Sequence, residues 1–244
     1  LNLQYGVARI MNLANGEVLV LGALASFWLY TTDQISPLLT VVLVAPVAFI
    51  GNWIIYRFLL TPLVRRSKTQ GHLEVDSILA TFGMSFILIG IMVSIEGGFF
   101  VYKYLSTPIS ILGSTTSLNR FVAFVIAVLI GGLLYLWMNH TRPGVAVRAV
   151  SVGTEASGLV GINVPRVSAF AFALGGAIAA IGGALISTFI TLDASIGVVF
   201  TLKALIIVIM GGVGDIRGAI VAAVILGVIE TTVATLIDPG LTLA

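Results

Sequence analysis

Long, uninterrupted apolar runs limit how this sequence can fold more than any other feature. A helix needs about 20 mostly apolar residues to cross a bilayer. Seven segments meet or approach that length: 3–30 (interrupted), 38–60, 77–95, 121–139, 167–190, 197–211 and 218–237. Only 9% of the residues are charged, whereas a soluble domain carries about 25%. Because the runs are continuous rather than alternating, we predict an all-α, polytopic transmembrane helix bundle that forms a single domain, 1–244.

The basic residues predict the orientation of this bundle. Eight of them lie in or beside the connections 61–76, 140–166 and 212–217, namely Arg57, Arg65, Arg66, Lys68, Arg142, Arg148, Arg166 and Arg217. The connections that alternate with these hold only Lys103 and Arg120. Since short cytoplasmic loops carry an excess of Lys and Arg, the first three connections are predicted to be cytoplasmic. The 96–120 connection is then extracytoplasmic, and we expect an interfacial segment in it around Phe99, Phe100, Tyr102 and Tyr104.

A polar cluster, Arg9-Ile-Met-Asn-Leu-Ala-Asn-Gly-Glu17, interrupts the first apolar run. Polar groups at membrane depth are costly unless they face protein or a water-filled cavity. Asn15 is a suitable N-cap, and Glu17 would follow in the first turn of a restarting helix, where the helix dipole favours an anion. We predict a broken helix that lines a translocation pathway with Asn12, Asn15, Gly16 and Glu17. Alternatively, the cluster lies at a membrane interface and starts a helix over 18–30.

Two charged residues, Lys203 and Glu230, lie deep within the last two apolar runs. Measured from the 212–217 connection, they lie about 12 Å and about 18 Å along their helices. A lysine stem can span that difference, so the spacing allows an intramembrane ion pair, with a role in ion coupling as the alternative.

Small residues recur every four positions in the fifth apolar run, as Gly175, Ala179 and Gly183 and as Gly176, Ala180 and Ala184. These two stripes predict close packing against neighbouring helices, with a solute-lining role as the alternative. The glycine-rich segment 211–218 lacks the phosphate-loop pattern, so it is predicted to be a tight turn and not a nucleotide site.

The 140–166 connection is too long for a simple link between spans. Residues 154–163 predict a short helix that Thr154 or Gly153 caps and Gly161 ends, with Glu155 in its first turn. A helix of this kind could dock into a groove on a soluble motor. From these residues alone, a plain surface loop is equally consistent.

The motifs in this connection resemble a known family. Arg148-Ala149, Glu155-Ala156 and Gly161-Ile162-Asn163 resemble the coupling motif of ABC importer permeases, specifically those for branched-chain amino acids. Asn12-Leu-Ala-Asn-Gly-Glu17 is similar to the Asn-Phe-Ala-His-Gly-Glu signature of that family. Further similar stretches, in the family's order, are 62–68, 80–85, 202–204 and 211–214. Asn15 replaces the histidine of the signature, which removes a titratable group. The family's leading and final spans have no counterpart, so we expect a chain truncated at both ends.

The resemblance implies the permease subunit of a bacterial inner-membrane ABC importer, with no cofactor of its own. The residues themselves predict no nucleic-acid partner, because there is no basic patch with interleaved aromatics, and no thiolate metal site, because there is no cysteine. The sequence also lacks the His-Glu-x-x-His and Gly-x-Ser-x-Gly patterns, so no catalytic residues are predicted.

The implied subunit would carry branched-chain amino acids or a related small polar solute from a periplasmic binding protein. A second, homologous permease would complete the path, and two partner subunits would bind ATP and Mg²⁺. The residues implied in coupling to those subunits are Arg148, Ala149, Thr154, Glu155, Ala156, Leu159, Gly161, Ile162 and Asn163.

Three other transport functions remain open from the sequence. A monosaccharide permease and a urea or amide permease share the architecture that the resemblance implies. An ion-coupled secondary transporter would instead use Lys203, Glu230 or Glu17 as relay groups.

Overall fold

A computed structural model describes residues 1–67, 69–102, 104–111 and 114–236. Its helices are α1 (Asn2–Ala8), α2 (Asn15–Asp33), α3 (Pro37–Ile55), a π-helical turn (Tyr56–Leu60), α4 (Thr61–Arg66), α5 (Gln70–Ile95), α6 (Leu118–His140), α7 (Arg142–Val152), α8 (Thr154–Leu159), α9 (Val164–Ile186), α10 (Gly197–Gly211) and α11 (Ile216–Leu236). Strands β1 (Pro108–Ile111) and β2 (Ser114–Ser117) pair as an antiparallel hairpin. Lys68 and Lys103, which the orientation prediction counted, and the end of the last predicted span, residue 237, lie outside the described residues.

Five helices are long and apolar enough to cross a membrane: Pro37–Arg66, Gly71–Ile95, Leu118–His140, Val164–Ile186 and Ile216–Leu236. They coincide with the predicted runs 38–60, 77–95, 121–139, 167–190 and 218–237, so the helical transmembrane bundle is confirmed at this level. The predicted count of seven spans is not confirmed. The sixth run is the shorter apolar helix α10, and the first is divided between α1 and α2.

Helix α9 lies at the centre of the bundle. It packs against α1, α2 and α3, and over half of its most apolar stretch is buried, whereas α6 and α11 lie almost entirely at the surface. A Cβ atom added at Gly183 would lie 1.8 Å from the carbonyl oxygen of Leu19, and one added at Gly176 would lie 2.2 Å from the amide of Asn52. The close packing predicted from the small residues is therefore confirmed, since these backbones approach each other only where side chains are missing.

The connection between α5 and β1 folds back onto the helix ends. Phe100 exchanges backbone hydrogen bonds with Leu192 at 2.9 and 3.2 Å. The Tyr102 hydroxyl lies 2.9 Å from both Ser26 Oγ and Ser187 Oγ. Both aromatic side chains are buried. Phe100 and Tyr102 of the expected interfacial segment therefore pack against the bundle, which offers them apolar and hydroxyl partners, and the position of the segment at a membrane interface stays a prediction.

The 140–166 connection contains two helices, α7 and α8, where the sequence predicted one. Thr141 caps α7 by accepting the N–H of Gly144 at 3.2 Å, and Pro143 occupies the first turn. The buried side chains of α7, Val147 and Val150, pack against α1 and the end of α6. This part of the connection is therefore built into the bundle.

A tight turn joins α10 to α11, as predicted. Gly212 and Gly214 adopt φ values of 87° and 83°, a region that other residues rarely enter. The Asn2 side chain holds the turn, since its Oδ1 accepts the N–H of Gly214 at 2.7 Å and its Nδ2 donates to the carbonyl of Asp215 at 2.8 Å. The start of the chain is thus tied to the α10–α11 turn.

Candidate functional site

The first apolar run is a broken helix, as predicted. Helix α1 ends at Ala8 and α2 begins at Asn15. Arg9 follows α1 with φ 53° and donates its N–H to the Tyr5 carbonyl, the left-handed geometry that commonly ends a helix. The non-helical residues 9–14, here called the break, therefore leave backbone groups that side chains must satisfy.

Two buried amides hold the break, one on α1 and one within the break itself. Gln4 Nε2 donates to the carbonyl of Phe172 on α9 at 3.0 Å, and Gln4 Oε1 accepts from Asn12 Nδ2 at 3.2 Å. Asn12 Oδ1 in turn accepts the N–H of Ala14 at 3.1 Å. Asn12, one of the predicted pathway residues, is thus fully buried and serves the fold of the break.

Two threonines hold the break from distant helices. Thr81 Oγ1 on α5 accepts the N–H of Leu13 at 3.1 Å. Thr201 Oγ1 on α10 accepts the N–H of Gly16 at 2.9 Å and donates to the carbonyl of Leu13 at 3.2 Å. Gln4, Thr81 and Thr201 were not among the predicted site residues. The available signal was that each is a polar residue within or beside an apolar run.

The prediction that Asn15 caps α2 is wrong. Ala14 is the N-cap and Asn15 the first helical residue, because Asn12 already accepts the N–H of Ala14 and turns the chain one residue earlier. Asn15 is 7% exposed, and its Oδ1 has no hydrogen-bond partner among the described residues. Gly16 packs against Gly197, where an added Cβ atom would lie 1.8 Å from the carbonyl oxygen.

Glu17 lies in the first turn of α2, as predicted. Its side chain is fully buried, and neither carboxylate oxygen has a hydrogen-bond partner within the described part of the chain. Its place in the first turn puts this side chain at the positive end of the α2 dipole, which favours an anion.

A crevice of about 400 Å³ opens between α2, α9, α10 and α11. Its walls include Asn15, Gly16, Gly175, Gly182, Lys203 and Glu230, and we call it the polar crevice. Lys203 Nζ lies 3.0 Å from Glu230 Oε1, and the two side chains are 23% and 34% exposed. The fold therefore brings two of the four predicted pathway residues, Asn15 and Gly16, to the ion pair, whereas Asn12 and Glu17 do not line the crevice.

A second candidate surface is formed by α8 and its flanks. Gly153 caps α8, and Glu155 lies in its first turn. The helix ends at Leu159 and not at Gly161, which lies two residues further on with φ 82° and turns the chain towards α9. Val152, Leu159 and Val160 are 87%, 89% and 75% exposed, so large apolar side chains project from the end of α8 and from the residues that flank it.

The other residues implied in coupling lie on α7, on α8 and in the connection between α8 and α9. Arg148 and Ala149 lie on α7, where the Arg148 guanidinium contacts Asn139 Oδ1. Thr154, Glu155 and Ala156 are exposed on α8. Ile162 packs against the apolar cluster that α1 and α7 form with the end of α6. Asn163 caps α9 by accepting the N–H of Arg166 at 3.2 Å. Among the described residues, there is no group of three or more His, Cys, Asp or Glu that could hold a metal ion.

Comparison with known proteins gives a consistent assignment. The family model described as "Branched-chain amino acid transport system / permease component" matches residues 1–241. The chain is 30% identical to the high-affinity branched-chain amino acid transport system permease protein LivH of Salmonella typhimurium, over 93% of this chain and 77% of that protein. It is 27% identical to the corresponding permease protein BraD of Pseudomonas aeruginosa, over the same shares. A shorter similarity, 32% over 46% of this chain and 34% of the relative, links it to the fructose import permease protein FruF of Bifidobacterium longum. No solved structure matches the chain significantly.

Proposed function

This chain belongs to the family of branched-chain amino acid transport system permease components and is a multi-pass, inner-membrane permease subunit of an ABC importer, and we propose that its solutes are branched-chain amino acids. The similarity to LivH and BraD covers 93% of this chain, whereas the similarity to the fructose permease covers 46% of it. This difference supports branched-chain amino acids over a sugar as the solute class. We further propose that a periplasmic binding protein, a second permease and two ATP-binding subunits complete the importer.

The proposed translocation path runs along the break and the polar crevice. Irregular backbone at membrane depth is tolerated where it is buried in protein or lines a cavity. The break is buried and hydrogen-bonded by Gln4, Thr81 and Thr201, whereas Asn15 and Gly16 beside it border the crevice. We infer that the break positions these two residues at the path.

Coupling to the ATP-binding subunits is proposed to occur at α8. The observation that supports this role is the exposure of Leu159 and Val160 at the end of a short helix that contacts α7 and α9. Exposed apolar side chains of this size commonly mark a protein interface. Helix α8 contacts α7, and α7 packs against α1, so a force applied to α8 would reach the break through α7 and α1.

The proposed orientation places α8 in the cytoplasm. Arg142, Arg148 and Arg166 lie around it and Arg217 lies in the adjacent turn, as expected for cytoplasmic connections. The β1–β2 hairpin then lies on the periplasmic side, where a binding protein would dock.

Reconstituted transport tests this function. The chain, assembled with its partner subunits and binding protein in liposomes, is expected to import leucine only with internal ATP, and vanadate should inhibit this uptake. Glu155→Lys and Gly161→Pro should abolish uptake and weaken association with the ATP-binding subunits. Proline cannot adopt the φ of 82° found at Gly161.

The control for these variants is Gly158→Ala. It lies on the same helix, where an added Cβ atom would meet nothing within 4 Å, so uptake should persist. Uptake that ignores vanadate and collapses with the proton gradient would contradict the proposed function. Unchanged uptake in both Glu155→Lys and Gly161→Pro would remove α8 from the mechanism.

A further inference from the structure

The ion pair in the polar crevice lies at a depth where charges rarely face lipid. Lys203 lies about 12 Å before the end of α10, and Glu230 lies about 21 Å after the start of α11, at a rise of about 1.5 Å per residue. A charged pair within the hydrocarbon region is stable only if it faces protein or water. Because both side chains remain partly exposed, at 23% and 34%, the crevice is the side of this chain that faces water or another protein.

Besides the ion pair, the crevice contains the polar side chain of Asn15, whose oxygen has no partner among the described residues. Asn15 Oδ1 is buried and accepts no hydrogen bond from any described residue, although Asn15 borders the crevice. A buried carbonyl oxygen without a donor is costly, and native proteins generally satisfy such groups with protein, water or ligand. An unsatisfied acceptor in the wall of a crevice that also contains an ion pair suits a ligand that brings its own N–H groups once the amide turns towards it.

The remaining wall of the crevice is apolar. Leu19, Ile178, Phe200, Ile207 and Leu226 line it beside the polar groups. Its volume of about 400 Å³ falls within the range of about 300–1,000 Å³ that is common for small-molecule sites. The crevice thus combines the Lys203–Glu230 ion pair, one unsatisfied acceptor and an apolar surface.

From this combination we propose that the polar crevice is a transit site for a zwitterionic amino acid, in which Lys203 binds the α-carboxylate and Glu230 binds the α-ammonium group. This proposal rests on the proposed function and adds the residues that recognise the solute. The bound zwitterion replaces the direct contact between Lys203 and Glu230, so each charge exchanges one partner for another. Asn15 Oδ1 accepts a further hydrogen bond from the ammonium group, and the apolar wall contacts the aliphatic side chain.

This exchange explains selectivity by charge. A solute with only a carboxylate would bind Lys203 and leave Glu230 without a partner. A solute with only an amine would bind Glu230 and take from Lys203 the carboxylate that Glu230 supplies. An uncharged sugar offers neither charge. A buried or half-buried charge without a partner is costly, so the intact pair would exclude these three classes.

Site-directed labelling of the assembled importer in liposomes tests the site. The sequence contains no cysteine, so Gly182→Cys provides a single thiol on the crevice wall, at a position where an added Cβ atom meets nothing within 4 Å. N-ethylmaleimide should label this thiol, and millimolar leucine should slow the labelling at least about threefold. 4-Methylpentanoate, which lacks the amino group, and 3-methylbutylamine, which lacks the carboxylate, should give no protection at the same concentration.

A second variant removes the two charges. In a Gly182→Cys background, Lys203→Gln combined with Glu230→Gln should abolish the protection by leucine and reduce leucine uptake at least about tenfold. The native ion pair is intact in the analogue experiment, so a folding defect in this variant would not affect that result. Equal protection by leucine and both analogues, absence of protection, or a thiol that does not react would each overturn the site.

The proposed function and the site fail in different ways. A wild-type importer that hydrolyses ATP but does not import leucine contradicts the proposed solute class. A wild-type importer that imports leucine while leucine leaves the labelling of Gly182→Cys unchanged contradicts the site alone.

Discussion

At Thr201, one hydroxyl joins two helices and the break. Its oxygen accepts the N–H of Gly16 at 2.9 Å and donates to the carbonyl of Leu13 at 3.2 Å, across more than 180 residues of sequence. Thr201→Val keeps the shape but removes the partner of the buried Gly16 N–H and of the part-buried Leu13 carbonyl, which costs roughly 1–3 kcal/mol. We expect the melting temperature of the purified protein in detergent to fall by roughly 2–10 °C. Thr201→Ser retains the hydroxyl and should fall much less; equal losses in both variants would contradict this role.

Two neighbouring glycines on α9 differ sharply in their surroundings. A Cβ atom at Gly183 would lie 1.8 Å from the Leu19 carbonyl oxygen, whereas one at Gly182 would meet nothing within 4 Å. Gly183→Ala should therefore force α2 and α9 apart at a cost of roughly 1–3 kcal/mol, the usual range for overpacking. Gly182→Ala should be neutral or stabilising, because alanine favours a helix by about 1 kcal/mol. Differential scanning fluorimetry of both variants checks the contrast, and similar melting temperatures would contradict it.

The sequence predicted individual residues well where a local pattern determines their place. The polar interruption between Arg9 and Glu17 predicted the break, since such a cluster cannot continue a helix through lipid without partners. The contacts that hold the break could not be predicted in this way. Thr81 and Thr201 reach Leu13 across 68 and 188 residues, and no local periodicity reports which distant hydroxyl meets which backbone group.

At the scale of the element, hydropathy located the spans but missed α7. Its sequence, Arg142–Val152, is too polar and too short to register as a span. The signals that could have found it are Thr141 and Pro143, which form a helix start of the usual kind. Its place in the bundle depends on tertiary contacts of Val147 and Val150 with α1, and the sequence pattern does not contain these contacts.

The segment between α5 and β1 is an element whose attachment depends on one tyrosine. The Tyr102 hydroxyl lies 2.9 Å from both Ser26 Oγ and Ser187 Oγ, and burial raises the pKa of this phenol above its ordinary value of 10.0, against the lowering by the two serines. Tyr102 is therefore neutral at pH 7 and can donate a hydrogen bond. Tyr102→Phe leaves Ser26, which is fully buried, without this partner, at a cost of roughly 1–3 kcal/mol.

The expected result is local loosening of this outer segment. In Tyr102→Phe, the amide of Phe100, which donates to Leu192, should exchange with deuterium at least about fivefold faster, since about 1.4 kcal/mol corresponds to a tenfold change in an opening equilibrium. Tyr104→Phe removes a hydroxyl from the same segment without breaking this link to Ser26 and Ser187, and exchange at Phe100 should be unchanged. Equal exchange in the two variants would show that the aromatic packing, not the hydroxyl, holds the segment.

At the scale of the whole molecule, burial divides the helices into a centre and a rim. Helix α9 is largely buried, and α2 contributes the fully buried Val20, Ala23 and Glu17 to the same centre. Helices α6 and α11 expose apolar side chains along most of their length, as lipid contact requires. The Lys203–Glu230 pair interrupts this apolar surface with two partly exposed charges. Charges at this depth are costly in lipid, so the polar crevice is poorly suited to lipid contact.

The orientation of this molecule in the membrane is the last prediction, and the cysteine-free sequence makes it directly testable. Four arginines surround α8 and the α10–α11 turn, whereas Arg120 alone lies beside the β1–β2 hairpin among the described basic residues. The cytoplasmic excess of basic residues therefore places α8 inside the cell and the hairpin outside it. Ser106→Cys and Gly158→Cys put one thiol at an exposed position near each end. A membrane-impermeant maleimide should label Ser106→Cys in intact spheroplasts and Gly158→Cys only in inverted vesicles. The reverse pattern would place α8 outside, where cytoplasmic ATP-binding subunits could not reach it, and would contradict both the orientation and the proposed coupling.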